Sequence, residues 1–283
     1  MLTKEVPQHI KHLLAHCRKI STNSGNTTME IILLGSGTGI PLNYRASPSL
    51  ALINIDADPI LFDMGPGTLR QLTRAGIIHE GIRRIFITHF HPDHTADLVH
   101  LLFVTRNPSI FKARKPFVIT GPRGIKEFIQ RLQEAYGYWI SLPPEIMAIE
   151  EIDVGINPER DYHNFKLTVQ STKHTPESIA YRIDDRSGKS VVYSGDTGFC
   201  NEIVDLAMGA DLLILECSFP DGKEVEGHLT PSQAGRIASL AGAKRLLLTH
   251  FYPECLATDI AAQCRRTYEG ELILGSDLLR IRV

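Results

Sequence analysis

The segment His89–His94, with the sequence HFHPDH, most constrains what this chain can fold into. It directly follows Arg84–Thr88, an apolar and β-branched run that is typical of a buried strand. Three histidines and one aspartate occupy these six positions, although the 283-residue chain has only 12 histidines. A strand that ends in such a loop carries several polar side chains to one edge of a sheet. The segment therefore predicts a sheet with a polar site at that edge.

The polar side chains of this segment have the donor atoms that zinc prefers. Zinc binds neutral imidazole nitrogens and carboxylate oxygens at about 2 Å. His89 and His91 point to the same side of an extended backbone, because side chains alternate along a strand. Asp93 and His94 follow Pro92, where the chain bends toward a helix, and they can face a second point nearby. We therefore predict that one stretch serves two metal ions. The alternative is a surface loop that is rich in histidine by chance.

Strand-like and helical runs follow one another along the rest of the chain. The predicted strands, besides Arg84–Thr88, are Met29–Leu34, Leu50–Ile55, Pro59–Phe62, Phe117–Thr120, 166–171, 179–183, 190–194, Asp211–Glu216 and Arg245–Thr249. The predicted helices are Thr68–Ala75, Leu98–Val104, Ile125–Tyr136, Thr230–Ala241 and 256–267. Two half-domains of strands and helices suit an α/β fold, a four-layer αββα sandwich over residues 29–283. Residues 1–28 are predicted to form an N-terminal helical extension, because 4–20 have an amphipathic pattern.

Charge and cysteine content exclude several classes of protein. The net charge of −2 supplies no general basic field for nucleic acid, so such a substrate would need a local basic patch. The five cysteines form no C-x-x-C pair, which favours free thiols in a reducing compartment. No apolar run approaches the ~20 residues that span a membrane, and residues 1–24 lack the apolar core of a signal peptide. We therefore expect a cytoplasmic protein that does not bind membranes.

The H-x-H-x-D-H motif at residues 89–94 resembles the signature of the metallo-β-lactamase superfamily. Other motifs of that superfamily follow in the expected order: Gly35–Gly39, Asp63-x-Gly65-x-Gly67, Ser194–Thr197, His228–Thr230 and Leu248–Phe251. The chain is most similar to the ribonuclease Z branch and the phosphodiesterases around it. This resemblance covers nearly all of 29–283 and implies a metal-dependent hydrolase with the αββα fold.

The resemblance also implies the remaining metal ligands and two catalytic residues. The implied ligands are His89, His91 and His174 on the first metal, Asp93, His94 and His250 on the second, and Asp196 on both. The implied cofactors are two zinc ions, with manganese or iron as alternatives. The metals would supply a bridging hydroxide, which Asp93 would orient, while His228 would protonate or hydrogen-bond the leaving group. Without the resemblance, His174 is a loop histidine, Asp196 a turn aspartate and His250 a buried histidine.

Two acidic residues near this site have further interpretations. Asp63 lies at a strand end and is expected to support the ligand loops. Asp97 has two open interpretations, support of the ligands or capping of a helix. Gly35–Gly39 is expected to bring the backbone close beneath the metals, since no Lys-Ser/Thr pair follows to make it a phosphate-binding loop.

The implied substrate is a phosphodiester, either a small molecule or an RNA 3′ end. A basic rim for phosphate could come from Arg106, Lys112, Arg114, Lys115, Arg123 and Lys126. The alternative is that these residues form an ordinary solvated surface. Two departures from the family count against tRNA processing. Family members that process tRNA usually have a long, flexible and basic arm that grips the tRNA, whereas 137–160 is short and has one basic residue. Pro66 stands where the family tends to have glutamate. A general phosphodiesterase is therefore the safer prediction.

Two other functional classes stay open on the sequence alone. The same metals can hydrolyse carbonyl or sulfate esters, as in lactonases, lactamases and arylsulfatases. A metal-binding protein without turnover ranks last, because all seven ligand positions are filled. The family often forms homodimers, and Leu98–Val104 could contribute to such an interface or to the core.

Overall fold

The computed structural model describes residues 28–156 and 158–283. The predicted helical extension at 1–28 lies outside these residues except for Thr28. The boundary between this extension and the hydrolase domain therefore stays a prediction.

The first sheet contains seven strands in the order β14-β1-β2-β3-β4-β5-β6. They are β1 (Glu30–Gly35), β2 (Ser49–Ile53), β3 (Ile60–Phe62), β4 (Arg84–Phe86), β5 (Phe117–Pro122), β6 (Met147–Ile152) and β14 (Leu279–Arg282). Strands β3 to β6 pair in parallel, whereas β14, β1 and β2 complete the sheet with antiparallel pairs. The carboxyl ends of the parallel strands meet at one edge, which is where loops that bind ligands gather in such sheets.

The second sheet has seven strands in the order β13-β12-β11-β10-β9-β8-β7. They are β7 (Glu159–Asp161), β8 (Phe165–Ser171), β9 (Ile179–Asp185), β10 (Ser190–Tyr193), β11 (Leu212–Glu216), β12 (Arg245–Thr249) and β13 (Glu271–Leu274). Strands β10 to β13 are parallel, and β7 to β9 form an antiparallel meander that continues into β10. This sheet therefore also has an edge at which parallel strands end together.

Three apolar clusters define the layers of the fold. The central cluster lies between the sheets, where the Phe62 ring lies 5.3 Å from Phe86 and 5.5 Å from Tyr181. Helices cover the outer faces: α1 (Thr68–Ala75), α2 (Pro92–Thr105), α3 (Pro108–Ala113) and α4 (Ile125–Tyr136) belong to the first half, and α5 (Asn201–Leu206), α6 (Pro231–Leu240), α7 (Pro253–Leu256) and α8 (Ile260–Cys264) to the second. The predicted four-layer αββα sandwich is confirmed. None of the helices described is long and apolar enough to cross a bilayer.

Two helices differ from their predicted bounds by more than one residue, for clear local reasons. Helix α2 begins at Pro92 rather than Leu98, because proline has the fixed φ of a first helical position. The single helix predicted at 256–267 is wrong. Helix α7 ends at Leu256, and Asp259 begins a separate helix as the N-cap of α8, since its Oδ1 accepts a hydrogen bond from Ala262 N at 2.9 Å.

Candidate metal centre

The seven predicted ligand side chains converge between the carboxyl ends of the two sheets. His89 and His91 follow β4, and Asp93 and His94 lie in the first turn of α2. The remaining three come from the second sheet: His174 follows β8, Asp196 follows β10 and His250 follows β12. Two of the groups that the fold brings together can each hold a cation, with ligand atoms within 4.8 Å of one another: His89, His91, His174 and Asp196, and Asp93, His94 and His250.

The two carboxylate oxygens of Asp196 face different groups of histidines. Oδ2 lies 3.8 Å from His89 Nε2 and 3.7 Å from His174 Nε2. Oδ1 lies 3.2 Å from His94 Nε2 and 3.3 Å from His250 Nε2. One carboxylate thus contributes an atom to each of two adjacent ligand sets.

His91 and Asp93 complete these two sets. The Nδ1 atom of His91 lies 3.1 Å from His174 Nε2, on the Oδ2 side of Asp196. On the other side, Asp93 Oδ2 lies 3.5 Å from His250 Nε2 and 3.9 Å from His94 Nε2. The arrangement has the donor types of two neighbouring dication sites: three histidines and a carboxylate oxygen on one side, and two histidines and two carboxylate oxygens on the other.

Several of these donor atoms are buried without a hydrogen-bond partner. They are Nε2 of His89, His94 and His250, and Oδ1 of Asp196. Burial of a polar atom without a partner costs about 1–3 kcal/mol, so native proteins rarely tolerate a cluster of such atoms. A cation in each ligand set would satisfy all of them, and the donor set therefore fits two divalent metal ions.

The charges of the site favour the same conclusion. Burial alone would raise the pKa of Asp93, but the nearby His250 and His94 lower it to about 2. The pKa of Asp196 also lies well below its ordinary value, because three histidines outweigh its burial. Burial lowers the pKa of His89, which keeps its imidazole in the neutral form that binds metal. Burial opposes the charged form of His94, but Asp196 and Asp63 raise its pKa well above the ordinary value. Two ionised carboxylates and their histidine neighbours thus form a charged, buried cluster of the kind that holds divalent metal.

Asp63 fixes the orientation of two predicted ligands from behind. Its Oδ2 lies 2.8 Å from His94 Nδ1 and accepts a hydrogen bond from Tyr193 Oη at 2.9 Å. Thr88 donates its hydroxyl to the same carboxylate and lies 3.0 Å from His89 Nδ1. A histidine whose inner nitrogen is held in this way presents Nε2 in a fixed direction. The expected supporting position of Asp63 is thus what the structure shows.

Glu216 is a buried residue of this site that the sequence analysis missed. Its Oε1 lies 2.8 Å from His228 Nδ1, and its Oε2 accepts the Ser218 hydroxyl at 2.6 Å. That hydroxyl in turn lies 3.0 Å from His250 Nδ1. An acidic residue at the end of the otherwise apolar run DLLILE was the available signal, because a buried charge in a strand requires partners.

Unusual backbone geometry concentrates at this edge. Asp63 and His250 have φ values of 57° and 59°, in the left-handed region that non-glycine residues seldom adopt. A Cβ atom at Gly65 would lie 2.0 Å from the carbonyl oxygen of Asp93. A Cβ atom at Gly39 would lie 3.6 Å from the Asp93 carboxylate, so the Gly35–Gly39 loop does run close to the site.

His228 lies at the mouth of the site, just before α6. One of its nitrogens lies within 4.8 Å of ligand atoms of Asp196 and His250. Burial opposes its charged form, but the hydrogen bond to Glu216 raises the pKa of His228 overall. Thr230 caps α6, because its hydroxyl accepts a hydrogen bond from Gln233 N, and this cap holds the turn after His228 in place.

Two aromatic residues stand beside His228. The rings of Phe219 and Tyr252 stack with centroids 4.8 Å apart and planes 17° apart. The Tyr252 ring lies 5.8 Å from His250 and 6.2 Å from His228. Burial and the charges of Asp93 and Asp196 raise the pKa of Tyr252 to about 12. Neither aromatic residue was singled out from the sequence.

The predicted basic rim is wrong for three of its six members. Arg114 is buried and donates to the carbonyl oxygens of His79 and Ile82. Lys115 pairs with Asp58. The Arg106 guanidinium lies 3.7 Å from the centroid of the Tyr138 ring. All three cations interact with groups of the protein itself.

Asp97 has the capping role rather than a place beside the metals. Its Oδ2 accepts a hydrogen bond from Leu69 N, in the first turn of α1, at 2.9 Å. The N-cap of that helix is Gly67, which has no side chain to satisfy the free amide groups.

The fold and the centre together define a class of protein. Residues 59–251 match the family model described as "Beta-lactamase superfamily domain", and the chain belongs to this superfamily. Its resemblance to the ribonuclease Z branch is confirmed, and with it the class of metal-dependent hydrolases.

Individual relatives carry the comparison further. The chain is 30% identical over 304 residues to a ribonuclease Z of Streptomyces avermitilis, with 90% of this chain and 97% of the relative covered. Among solved structures, human tRNase Z, short form, is 25% identical with a TM-score of 0.73, covering 90% of this chain and 99% of that one. The metallo-beta-lactamase fold protein YhfI from Bacillus subtilis has a TM-score of 0.78 at 24% identity, covering 91% and 100%.

Proposed function

We propose that this protein is a phosphodiesterase that uses two divalent metal ions, with zinc the expected metal and manganese or iron as alternatives. The observation that carries the proposal is the position of Asp196, whose two oxygens each face a separate group of histidines. A carboxylate in this position can hold two cations a few ångströms apart, which suits the displacement of an oxygen at phosphorus.

The residues present fit this metal pair. His89, His91 and His174 would hold one ion, Asp93, His94 and His250 the other, and Asp196 both. When bound, the ions lower the pKa of water toward about 7 and offset charge on the phosphoryl oxygens.

Asp93 and His228 have positions that suit proton transfer. Asp93 is ionised, since the nearby His250 and His94 lower its pKa to about 2, and its carboxylate can accept a hydrogen bond from the attacking water. His228 is held through Nδ1 by Glu216, which leaves Nε2 to reach the substrate. We assign Asp93 to orienting the nucleophile and His228 to the leaving-group oxygen.

The relatives named ribonuclease Z support a phosphodiester substrate, either a small molecule or an RNA 3′ end. The region 137–160 favours the small molecule. In the described part of this region, a short 3₁₀ turn at Gly137–Ile140 and strand β6 are built into the fold. Its acidic side chains outnumber the single arginine, so it offers RNA no basic arm.

The test compares three substrates with metal-loaded protein: bis(4-nitrophenyl) phosphate, a tRNA precursor with a 3′ extension, and an acyl-homoserine lactone. We expect turnover of the aryl phosphodiester and little or none of the tRNA precursor, with about two metal ions per chain. Turnover of the lactone alone would replace the proposal with a carbonyl-ester hydrolase. Metal-loaded protein that acts on none of the three would contradict a catalytic role.

The oligomeric state and location are separate predictions. A homodimer is supported by the exposed aromatic side chains of Phe103, Tyr136 and Trp139, which lie beside one another at the end of α2 and α4. Light scattering of the protein and of Phe103→Glu would test it, since the charge should produce a monomer. The cytoplasmic location expected from the sequence stays a prediction.

A further inference from the structure

Tyr252 has a phenol group at the metal centre that nothing in the fold requires. Within the described residues, its hydroxyl has no hydrogen-bond partner, although the side chain is partly buried. The Tyr252 ring lies 5.8 Å from the ring of His250, a predicted ligand, and 6.2 Å from that of His228. The phenol therefore belongs to the wall of the metal centre.

The ring is held firmly in this position from two sides. The Phe219 ring stacks on it with the centroids 4.8 Å apart. The backbone N–H of Tyr252 donates to the carbonyl oxygen of Ser218 at 3.3 Å. Tyr252 is also the N-cap residue of α7, with Pro253 at the first helical position. A side chain fixed by its own backbone and by a stacked neighbour can present its hydroxyl without a large loss of entropy on binding.

Tyr252 and His228 flank the same space from different directions. Their ring centroids lie 6.2 Å apart with planes 72° apart, and each ring also contacts His250. His228 can give up a proton when its imidazole is in the charged form. A phenol has an ordinary pKa of about 10 and keeps its proton at neutral pH. Two donors of different acidity thus converge on one small region beside the second ligand set.

We propose that the Tyr252 hydroxyl donates a hydrogen bond to a non-bridging oxygen of the bound phosphodiester. The inference rests on the proposed phosphodiesterase function and names a further residue for it. Charge gathers on the non-bridging oxygens as the nucleophile adds, and a fixed donor aimed at them stabilises that state. No proton is transferred in this interaction, and Tyr252 is distinct from His228, which acts on the leaving oxygen.

The test is Tyr252→Phe in zinc-loaded, full-length protein, assayed with a series of diaryl phosphates whose leaving phenols differ in pKa. We expect kcat/KM to fall by about 10- to 100-fold, as for the loss of one hydrogen bond to a charged oxygen. The factor should be the same for every leaving group. In His228→Ala, by contrast, the loss should grow as the leaving phenol becomes less acidic. Tyr138→Phe, at an exposed tyrosine of the 3₁₀ turn Gly137–Ile140, is the matched control.

Metal content and melting temperature separate this role from a structural one. Both should be unchanged in Tyr252→Phe, because the substitution keeps the ring that stacks on Phe219. Activity within twofold of the parent protein would overturn the inference alone. A loss that grows with leaving-group pKa would overturn it too, by moving Tyr252 to the leaving oxygen. A parent protein without turnover of any diaryl phosphate would overturn the proposed function and the inference with it.

Discussion

Glu216 Oε1 lies 2.8 Å from His228 Nδ1, and the same buried carboxylate reaches His250 through Ser218. Its two oxygens also accept the backbone N–H groups of Thr197, Ser218 and Leu229 at 3.1–3.2 Å. A proposed proton donor and a proposed metal ligand are therefore oriented by one side chain that touches neither metal nor substrate. Glu216 is therefore a positioning residue that acts through His228 and His250.

Glu216→Gln is expected to lower kcat/KM by about 10- to 100-fold, because a neutral amide holds His228 less firmly and no longer favours its charged form. Most of this loss should disappear in a His228→Ala background, since the two residues act as a unit. Steady-state kinetics of the single and double variants measure the coupling. Losses that simply add would contradict it, and the exposed Glu226→Gln serves as the matched control.

Asp93→Ala and His228→Ala should separate metal binding from proton transfer. Both should lower activity by about 100-fold or more, as is typical for general acids and bases. Only Asp93→Ala should clearly lower the metal content, measured by elemental analysis after gel filtration. His163→Ala, at an exposed histidine, is the control for His228→Ala. Equal metal loss in both variants would make His228 a ligand.

Gly65→Ala is expected to destabilise the protein by about 2 kcal/mol or more, because its Cβ atom would lie 2.0 Å from the carbonyl oxygen of Asp93. The backbone that carries Asp93 must move, so metal affinity should fall as well. Urea unfolding and metal titration measure the two effects. Gly81→Ala, where a Cβ atom meets nothing within 4 Å, should be close to neutral.

Asp211 should make the stability depend on pH between about 4 and 2. Its carboxylate accepts hydrogen bonds from Lys244 Nζ at 2.8 Å and Lys189 Nζ at 3.0 Å. Burial opposes these contacts, but they lower the pKa of Asp211 to about 2. A lowered carboxyl pKa stabilises the fold above the unfolded-state value, and this contribution is lost as the pH falls through the folded-state value.

Asp211→Asn should therefore lower the free energy of unfolding by about 2 kcal/mol at pH 7 and flatten its change between pH 4 and 2. Urea unfolding across this range measures both effects. Asp205→Asn, at an exposed aspartate of α5, should have little effect. An equal pH slope in the parent protein and Asp211→Asn would contradict the assignment.

The sequence predicted the strongly patterned elements best. The seven side chains implied as ligands do lie together, and their binding of metal stays a prediction. Thr68–Ala75, Ile125–Tyr136 and Arg245–Thr249 have the bounds that their hydrophobic periodicity predicted. Strands β6 and β7 were missed, because their burial alternates weakly and charged residues such as Glu150 and Glu159 interrupt them. Edge strands that bury one face leave only a faint pattern in the sequence.

Contacts between distant segments explain the remaining errors. Arg114 and Lys115 have the composition of a basic patch, yet their partners, the His79 carbonyl and Asp58, come from other parts of the chain. Glu216 and Tyr252 likewise come next to His228 only in the folded chain, because the three residues belong to different segments. No local pattern specifies which charged residue will find a partner across the fold.

The span of Asp196 between two groups of histidines has a consequence for the whole chain. Ligands from the first half of the chain and ligands from the second would bind the same ions, so the cations would cross-link the two sheets. Folding and metal uptake then become linked equilibria: zinc at about 100 times its dissociation constant would add about 2.7 kcal/mol to the resistance against unfolding. A chelator would therefore lower the free energy of unfolding although the three apolar clusters stay unchanged.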